Sequence, residues 1–215
     1  MKKFALSAAC LVMACSGPSD PYGTSTTADL PIQVEGLEDM NQEKAEEIIG
    51  SINPLENDLR GLEVAVRMHD GFRIKSDGVV FELGVIDGAG ATRLDEEFTL
   101  VETSVTDSAM LQGAAREGFF IRTFTLDEAD YGRMRAGDLI LRELKQTAPG
   151  ENQLKFNAGV FTCANPNAET PDEYRFAMFV RSAPDVDFIP LSNGDVVMAK
   201  ANAGPLAAAW EPCDS

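Results

Sequence analysis

The chain has 215 residues, of which 35 are acidic and 18 basic, and its net charge of −17 makes it strongly acidic. Such a charge repels nucleic acid and anionic lipid head groups, so the composition argues against nucleic-acid binding. The length suffices for one good-sized domain with an adequate hydrophobic core.

Residues 1–14 have the pattern of a signal peptide for export. Lys2 and Lys3 precede about a dozen apolar residues, too few to remain as a membrane-spanning helix. The segment is therefore predicted to be removed. Because both lysines leave with it, 16 basic and 35 acidic residues remain, and the net charge of the mature chain becomes −19.

The end of this segment resembles the lipobox of bacterial lipoproteins. An apolar residue, Val12, and a small residue, Ala14, stand at the third and first positions before Cys15. The resemblance implies that Cys15 becomes the first mature residue and carries acyl chains, which hold a protein on a membrane. Ser16 stands where aspartate would favour the inner membrane, so the resemblance implies the outer membrane. The alternative is an ordinary cleaved signal peptide, which leaves a soluble periplasmic or secreted protein.

Cys163 and Cys213 are the cysteines that remain once Cys10 is removed and Cys15 is acylated. In an oxidising compartment we expect them to form a disulfide, tying the C-terminal segment to the domain. A bridge across about 50 residues stabilises a fold by roughly 4 kcal/mol at most. A metal site or a reactive thiol would need histidine or carboxylate partners at suitable spacing, and the sequence has no C-x-x-C motif.

Behind the signal peptide, residues 15–35 are polar and are predicted to be a flexible tether, followed by a single β-rich domain over 36–215. An acidic helix is expected at 36–52. From Leu62 the apolar period changes to two, and Asp–Gly pairs at 70–71, 77–78 and 87–88 predict successive hairpins of an antiparallel meander. Further strands are predicted at 97–102, 118–124, 154–163, 174–181, 186–191 and 195–201.

One helical segment interrupts this pattern. Thr125 to Glu128 fits a capping box, and apolar residues recur at helical spacing as far as Lys145. Gly132 and Gly137 leave a broken helix, or a strand over 139–144, as alternatives. The expected fold class is mainly β: an antiparallel β-sandwich of immunoglobulin-like character with one or two packed α-helices.

Residues with chemical potential have simpler structural interpretations. His69, the single histidine, lies beside a predicted turn, so a Ser-His-Asp mechanism is not expected. The acidic groups at 95–97, 127–130 and 185–187 lack the spacing of a calcium loop and are interpreted as solvated, although a calcium site stays an alternative. The glycine-rich run 84–90 is interpreted as a hairpin loop and not as a phosphate cradle.

Aromatic residues are interpreted in the same way. Trp210 is expected to pack on the core rather than line a ligand pocket. The phenylalanines of the predicted strands are expected in their interiors and not on a stacking surface; they are Phe119, Phe120, Phe124, Phe176 and Phe179.

No catalytic, cofactor-binding or metal-binding residue is therefore assigned. The sequence favours a non-enzymatic, lipid-anchored protein of the cell envelope that acts by binding another envelope protein or polymer. Two alternatives remain open: an envelope hydrolase that uses two converging carboxylates, and a carrier with an apolar cavity between its sheets.

Overall fold

The computed structural model describes residues 7–8, 32–33, 59–87, 89–104, 107–147, 153–191, 194–202 and 209–213. The predicted lipidation residue Cys15, most of the predicted tether and the expected helix at 36–52 lie outside these residues. Their predictions stand as made, and the mature chain that they imply, from Cys15 onward, lacks the described residues 7–8.

The described chain is mainly β. Its strands are β1 (Ser7–Ala8), β2 (Ile32–Gln33), β3 (Glu63–His69), β4 (Phe72–Ile86), β5 (Thr92–Thr103), β6 (Phe119–Leu126), β7 (Gln153–Ala164), β8 (Glu173–Arg181), β9 (Ile189–Pro190) and β10 (Val196–Ala199). Its α-helices are α1 (Ala109–Ala114) and α2 (Tyr131–Thr147), and short 3₁₀ turns lie at Leu59–Gly61, Glu128–Asp130 and Lys200–Asn202.

The strands form one curled sheet in the order β1-β7-β4-β5-β6-β3-β8-β10, with β2 also on β7 and β9 also on β8. All pairs are antiparallel except β2 with β7. The first part of β5 pairs with β4, and its last part, Leu100–Thr103, pairs with β6. We call β7, β4 and the first part of β5 the first layer, and the remaining part of β5 with β6, β3, β8, β9 and β10 the second layer.

One hydrophobic core lies between the two layers. Alternate residues of β3, namely Val64, Val66 and Met68, point into it, which explains the period of two in the sequence. Both layers and α2 supply the other members, among them Phe81, Leu83, Phe98, Met134, Val160, Tyr174 and Val180. The mainly β, antiparallel class with packed helices is confirmed, and the two layers of the expected sandwich are halves of one sheet that bends along β5.

The helical segment begins two residues later than the sequence predicts, with the 3₁₀ turn Glu128–Asp130, and α2 follows this turn at Tyr131. The carboxylate of Asp127 accepts the N–H of Ala129 at 2.9 Å and caps the turn that leads into α2. Thr125 belongs to β6 instead, where its hydroxyl donates to the carbonyl of Leu62 at 3.1 Å. The capping-box prediction was wrong because pairing with β3 and β5 holds Thr125 in an extended conformation.

Neither glycine interrupts α2, so the alternative strand at 139–144 is excluded. Met134 and Leu144 are buried against the core. At Gly137 a Cβ atom would lie 3.0 Å from Cδ2 of Leu94, whereas at Gly132 nothing lies within 4 Å. Gly137 therefore permits the close approach of α2 to β5, and Gly132 has no such role.

The three Asp–Gly pairs have three different outcomes. The loop after Asp87 closes a hairpin between β4 and β5, in which the Asp87 carboxylate accepts the N–H groups of Ala89 at 3.0 Å and Ala91 at 2.9 Å. Asp77–Gly78 lies inside β4, where the pairing with β7 shifts register and Asp77 has a φ of 54°. Asp70–Gly71 turns the chain from the second layer into the first, so β3 and β4 are not paired with each other. The predicted meander was wrong at these two positions.

Candidate functional site

His69 is the last residue of β3, directly before the turn at Asp70–Gly71. Its Nδ1 accepts the backbone N–H of Gly71 at 3.0 Å, and its ring lies edge-on to that of Phe119 at 5.3 Å between centroids. Because Nδ1 is an acceptor, the ring proton belongs on Nε2. This geometry agrees with the structural interpretation of His69.

Several of the acidic residues singled out in the sequence form hydrogen bonds or ion pairs. Asp130 accepts from Nη1 of Arg133 at 2.8 Å, and Glu96 binds the same guanidinium from β5. Among the described residues, no three His, Cys, Asp or Glu side chains come together where they could share a metal ion.

Asp187 connects α1 to the segment before β9. Its carboxylate accepts the hydroxyl of Ser108 and, at 2.8 Å, the N–H of Phe188. The Ser108 hydrogen bond is the main cause that lowers the pKa of Asp187 below its ordinary value. Ser108 also accepts the N–H of Leu111 at 3.3 Å, so it caps α1 while it binds Asp187.

The remaining residues named from the sequence are structural in this fold. Cys163 and Cys213 form a disulfide, in agreement with the expected pair. The ring of Trp210 packs on that of Phe72 at 5.7 Å between centroids. Phe124 and Phe176 belong to the core, Phe120 packs against it, and Phe179 is buried on the opposite face of the second layer.

That opposite face, which we call the outer face, has a small hydrophobic cluster of its own. Leu111 of α1 and Phe188 pack there against Ala65, Ala177 and Phe179 of β3 and β8. Helix α1, which the sequence did not predict, therefore covers the second layer from outside.

Two arginines are buried beside this cluster, and each has a carboxylate partner. Nη2 of Arg181 donates to Glu63 at 2.8 Å, and its guanidinium lies 4.7 Å from the ring centroid of Phe188. Nη2 of Arg67 donates to Asp195, and its guanidinium lies 5.9 Å from the ring centroid of Phe179. Buried charges require such partners, because an isolated charge is strongly destabilising away from water.

Asp195 fixes the start of β10 to the outer face. One carboxylate oxygen accepts from Arg67, and the other accepts from Nη1 of Arg116 at 2.6 Å. Nη1 of Arg67 also donates to the carbonyl of Ala114 at 2.6 Å, at the end of α1. The side chains of Arg67 and Asp195 are only 5% and 7% exposed. This buried ion pair holds the first residue before β10 against β3.

Strand β10 has backbone groups that no described residue pairs with. The N–H of Lys200, directly after β10, donates to the carbonyl of Asp172, directly before β8, at 2.7 Å. Opposite residues of an antiparallel pair alternate between bonded and non-bonded positions. Counting back from Lys200, every second residue bonds to β8, so the N–H and C=O groups of Val197 and Ala199 point away from it.

The neighbouring strand β9 has no outward N–H group of this kind. It lies on the same side of β8, where the N–H of Leu191 donates to Met178 at 2.8 Å. The same alternation turns Pro190 outward, and proline has no N–H to offer. At β10, in contrast, Val197 is 50% and Val196 36% exposed, and no described residue pairs with the outward side. The backbone of Val197 and Ala199, which we call the β10 edge, is thus an open edge.

The sequence contained one signal for a sheet edge on this side of β8 that the strand predictions did not use. Pro190 stands inside the predicted strand 186–191, and a proline in a strand marks a sheet edge. That strand is only Ile189–Pro190 in the structure, and the predicted strand 195–201 is Val196–Ala199.

Comparison of the chain with models of known families, with curated proteins and with solved structures gave no match. Within the described residues, no helix is both long enough and apolar enough to cross a bilayer.

Proposed function

We propose that the mature chain is a non-enzymatic, lipid-anchored protein of the outer membrane that binds an extended segment of another envelope protein at the β10 edge. The observation that carries the binding role is the outward backbone of Val197 and Ala199 beside two exposed valines. An edge with free donors and acceptors is the surface on which a further strand can be added.

The assignment to the envelope is supported by two independent features. Residues 1–14 have the pattern of a signal peptide, and this pattern ends in a lipobox-like motif at Cys15. Separately, Cys163 and Cys213 are bonded in the fold, and disulfides persist in compartments outside the cytosol.

The chemistry of the edge favours a polypeptide over a polysaccharide as partner. Backbone N–H and C=O groups at alternate residues match the spacing of another extended peptide chain. The side chains of Val196 and Val197 lie on opposite faces of β10, so each offers an apolar contact to a residue of the added strand. Because the whole chain carries a net charge of −17, we expect lysine or arginine near the partner segment.

Site-specific crosslinking tests this proposal. A photoreactive amino acid replaces Val197 in the full chain, made in its native host, and in a matched control it replaces Val101 of β5, which is 40% exposed. We expect one reproducible envelope protein to be crosslinked from position 197 and not from position 101. Peptide mapping of the adduct should place the crosslink in an extended segment of the partner.

A second substitution makes the test specific for backbone pairing. Ala199→Pro removes an outward N–H group while the bonds of β10 to β8 remain, because Ala199 is a non-bonded position. We expect this variant to keep the circular dichroism of the fold and to lose the crosslink. Identical adducts from both positions, or adducts that persist in Ala199→Pro, would refute binding at the β10 edge.

A further inference from the structure

Residues 209–213, which we call the latch segment, lie against the end of the sheet where β7 leads towards β8. The N–H of Ala164 donates to the carbonyl of Glu211 at 2.8 Å, and the N–H of Cys213 donates to the carbonyl of Ala164 at 3.1 Å. This pairing is an isolated bridge and not a strand. Apart from the disulfide, few backbone bonds therefore hold the latch segment.

Within the latch segment, Trp210 covers the core. Its ring packs on Phe72 at 5.7 Å and on Tyr174 at 6.0 Å between centroids, and its indole N–H donates to the carbonyl of Pro171 at 2.9 Å. Phe72 is 0% and Tyr174 1% exposed. Removal of Trp210 from this position would expose both aromatic rings to water.

The loop beneath Trp210 has its own attachments. The N–H and the side-chain amide of Asn165 donate to the carbonyls of Gly71 and Asp70, each at 2.8 Å. A Cβ atom at Gly71 would lie 2.5 Å from Pro171, so the absence of a side chain lets the loop lie close. Because these contacts do not involve residues 209–213, the loop and the sheet can stay in place when the latch segment leaves.

The two cysteines of the disulfide differ in their exposure to solvent. Cys163 is 3% exposed within β7, whereas Cys213 is partly exposed in the latch segment. A reductant therefore reaches the bridge from the side of Cys213.

We propose that the Cys163–Cys213 disulfide is a redox latch, whose reduction by a dithiol releases residues 209–213 and exposes the aromatic surface under Trp210 while the sheet stays folded. This conformational role goes beyond the proposed binding function and does not depend on it.

The reaction is an ordinary thiol–disulfide exchange. A thiolate of the dithiol attacks Sγ of Cys213, the bond to Sγ of Cys163 breaks, and Cys163 leaves as a thiolate that takes up a proton. The second thiol of the reductant then attacks the reductant's first sulfur in the mixed disulfide. This step forms the reductant's own disulfide and releases Cys213 as a thiolate, which takes up a proton. Two electrons pass from the dithiol, which becomes a disulfide, to the protein.

Tryptophan fluorescence tests the latch directly, because Trp210 is the single tryptophan of the chain. The oxidised mature protein is treated with dithiothreitol without denaturant, and the free thiols are counted. We expect the emission to shift to longer wavelength and quenching by acrylamide to rise several-fold, with the β-sheet circular dichroism unchanged. Reoxidation should reverse both changes.

Cys213→Ser provides the second variant, since it leaves the buried Cys163 in place. We expect it to show the emission of the reduced protein and to be insensitive to dithiothreitol. The proposal is overturned if the bridge resists the dithiol, if the reduced protein or Cys213→Ser keeps the buried emission, or if either loses the circular dichroism of the sheet.

Discussion

Arg67 and Asp195 form a buried ion pair, at 5% and 7% side-chain exposure, and this pair fixes the start of β10. Loss of one partner leaves the other charge buried, which costs about 3 to 5 kcal/mol. We expect Asp195→Asn to lower the free energy of unfolding by about 3 kcal/mol, near the lower limit, because Arg67 keeps its bond to Ala114. Urea denaturation measures the change.

The matched control is Glu102→Gln. Glu102 pairs with Arg122 at 2.8 Å, but their side chains are 51% and 48% exposed. An exposed pair contributes at most about 1 kcal/mol, so this variant should unfold close to the wild type. Equal losses in the two variants would contradict the structural role given to Asp195.

We expect the free energy of unfolding to fall at alkaline pH because the phenol of Tyr174 is buried. Burial raises its pKa from 10.0 to about 12, although the Thr162 hydroxyl, which donates to the phenol at 3.3 Å, partly opposes the rise. The phenol therefore ionises first in the unfolded chain. Its contribution is complete below pH of about 10 and is lost as the pH rises through about 12, a decrease of about 3 kcal/mol.

Tyr174→Phe isolates this effect. The variant lacks the ionisable group, so the difference in unfolding free energy between it and the wild type should change by about 2 kcal/mol between neutral pH and pH of about 12. Urea denaturation at the two pH values measures it. A constant difference would show that Tyr174 is not held neutral by burial.

The two glycines of α2 give opposite predictions for the same substitution. Gly132 is exposed and nothing lies within 4 Å of the position that an added Cβ atom would take, so Gly132→Ala should stabilise the fold by about 0.5 to 1 kcal/mol. At Gly137 the added methyl group would lie 3.0 Å from buried Leu94. Overpacking of a core costs about 1 to 3 kcal/mol, so Gly137→Ala should be destabilising by about 1 kcal/mol.

The melting temperatures of the two variants, measured by thermal unfolding, test both predictions. We expect a higher melting temperature for Gly132→Ala and a lower one for Gly137→Ala than for the wild type. A rise in both would mean that α2 does not approach β5 closely at Gly137.

Local patterns predicted the elements better than their connections. The apolar period of two correctly predicted β3, and apolar residues at helical spacing predicted α2. Both patterns arise because the side chains that face the core are apolar. The same Asp–Gly pattern closes a hairpin after Asp87, bends β4 at Asp77, where φ is 54°, and turns the chain between layers at Gly71. Which strands then pair depends on distant residues, so the pattern could not reveal it.

The candidate edge was hidden in the sequence for a related reason. Arg67 alternates with apolar residues as a solvent-facing residue of β3 does, and it is buried where the end of α1 and the start of β10 lie against it. Helix α1 has six residues, which is too short for a helical period to be recognised. Outward and inward positions of β10 follow from the register with β8, and register is a property of the folded sheet.

At the scale of the whole molecule, the net charge and the disulfide both bear on where the protein can function. Its net charge of −17 favours solubility over association with anionic surfaces, so the sequence alone gives no attraction to a membrane. The proposed acyl chains on Cys15 would supply that attraction, while the Cys163–Cys213 bridge belongs in an oxidising compartment. The proposed location at the cell envelope therefore rests on the proposed lipid anchor together with the disulfide.

The intact mass of the mature protein, purified from the membranes of its native host, tests this central claim most directly. We predict a polypeptide that begins at Cys15 and exceeds its peptide mass by several fatty-acyl groups, with Cys15→Ser releasing the protein from the membrane. A chain that begins at another residue, or an unmodified Cys15 in a protein that partitions into the aqueous phase of a detergent extraction, would contradict it.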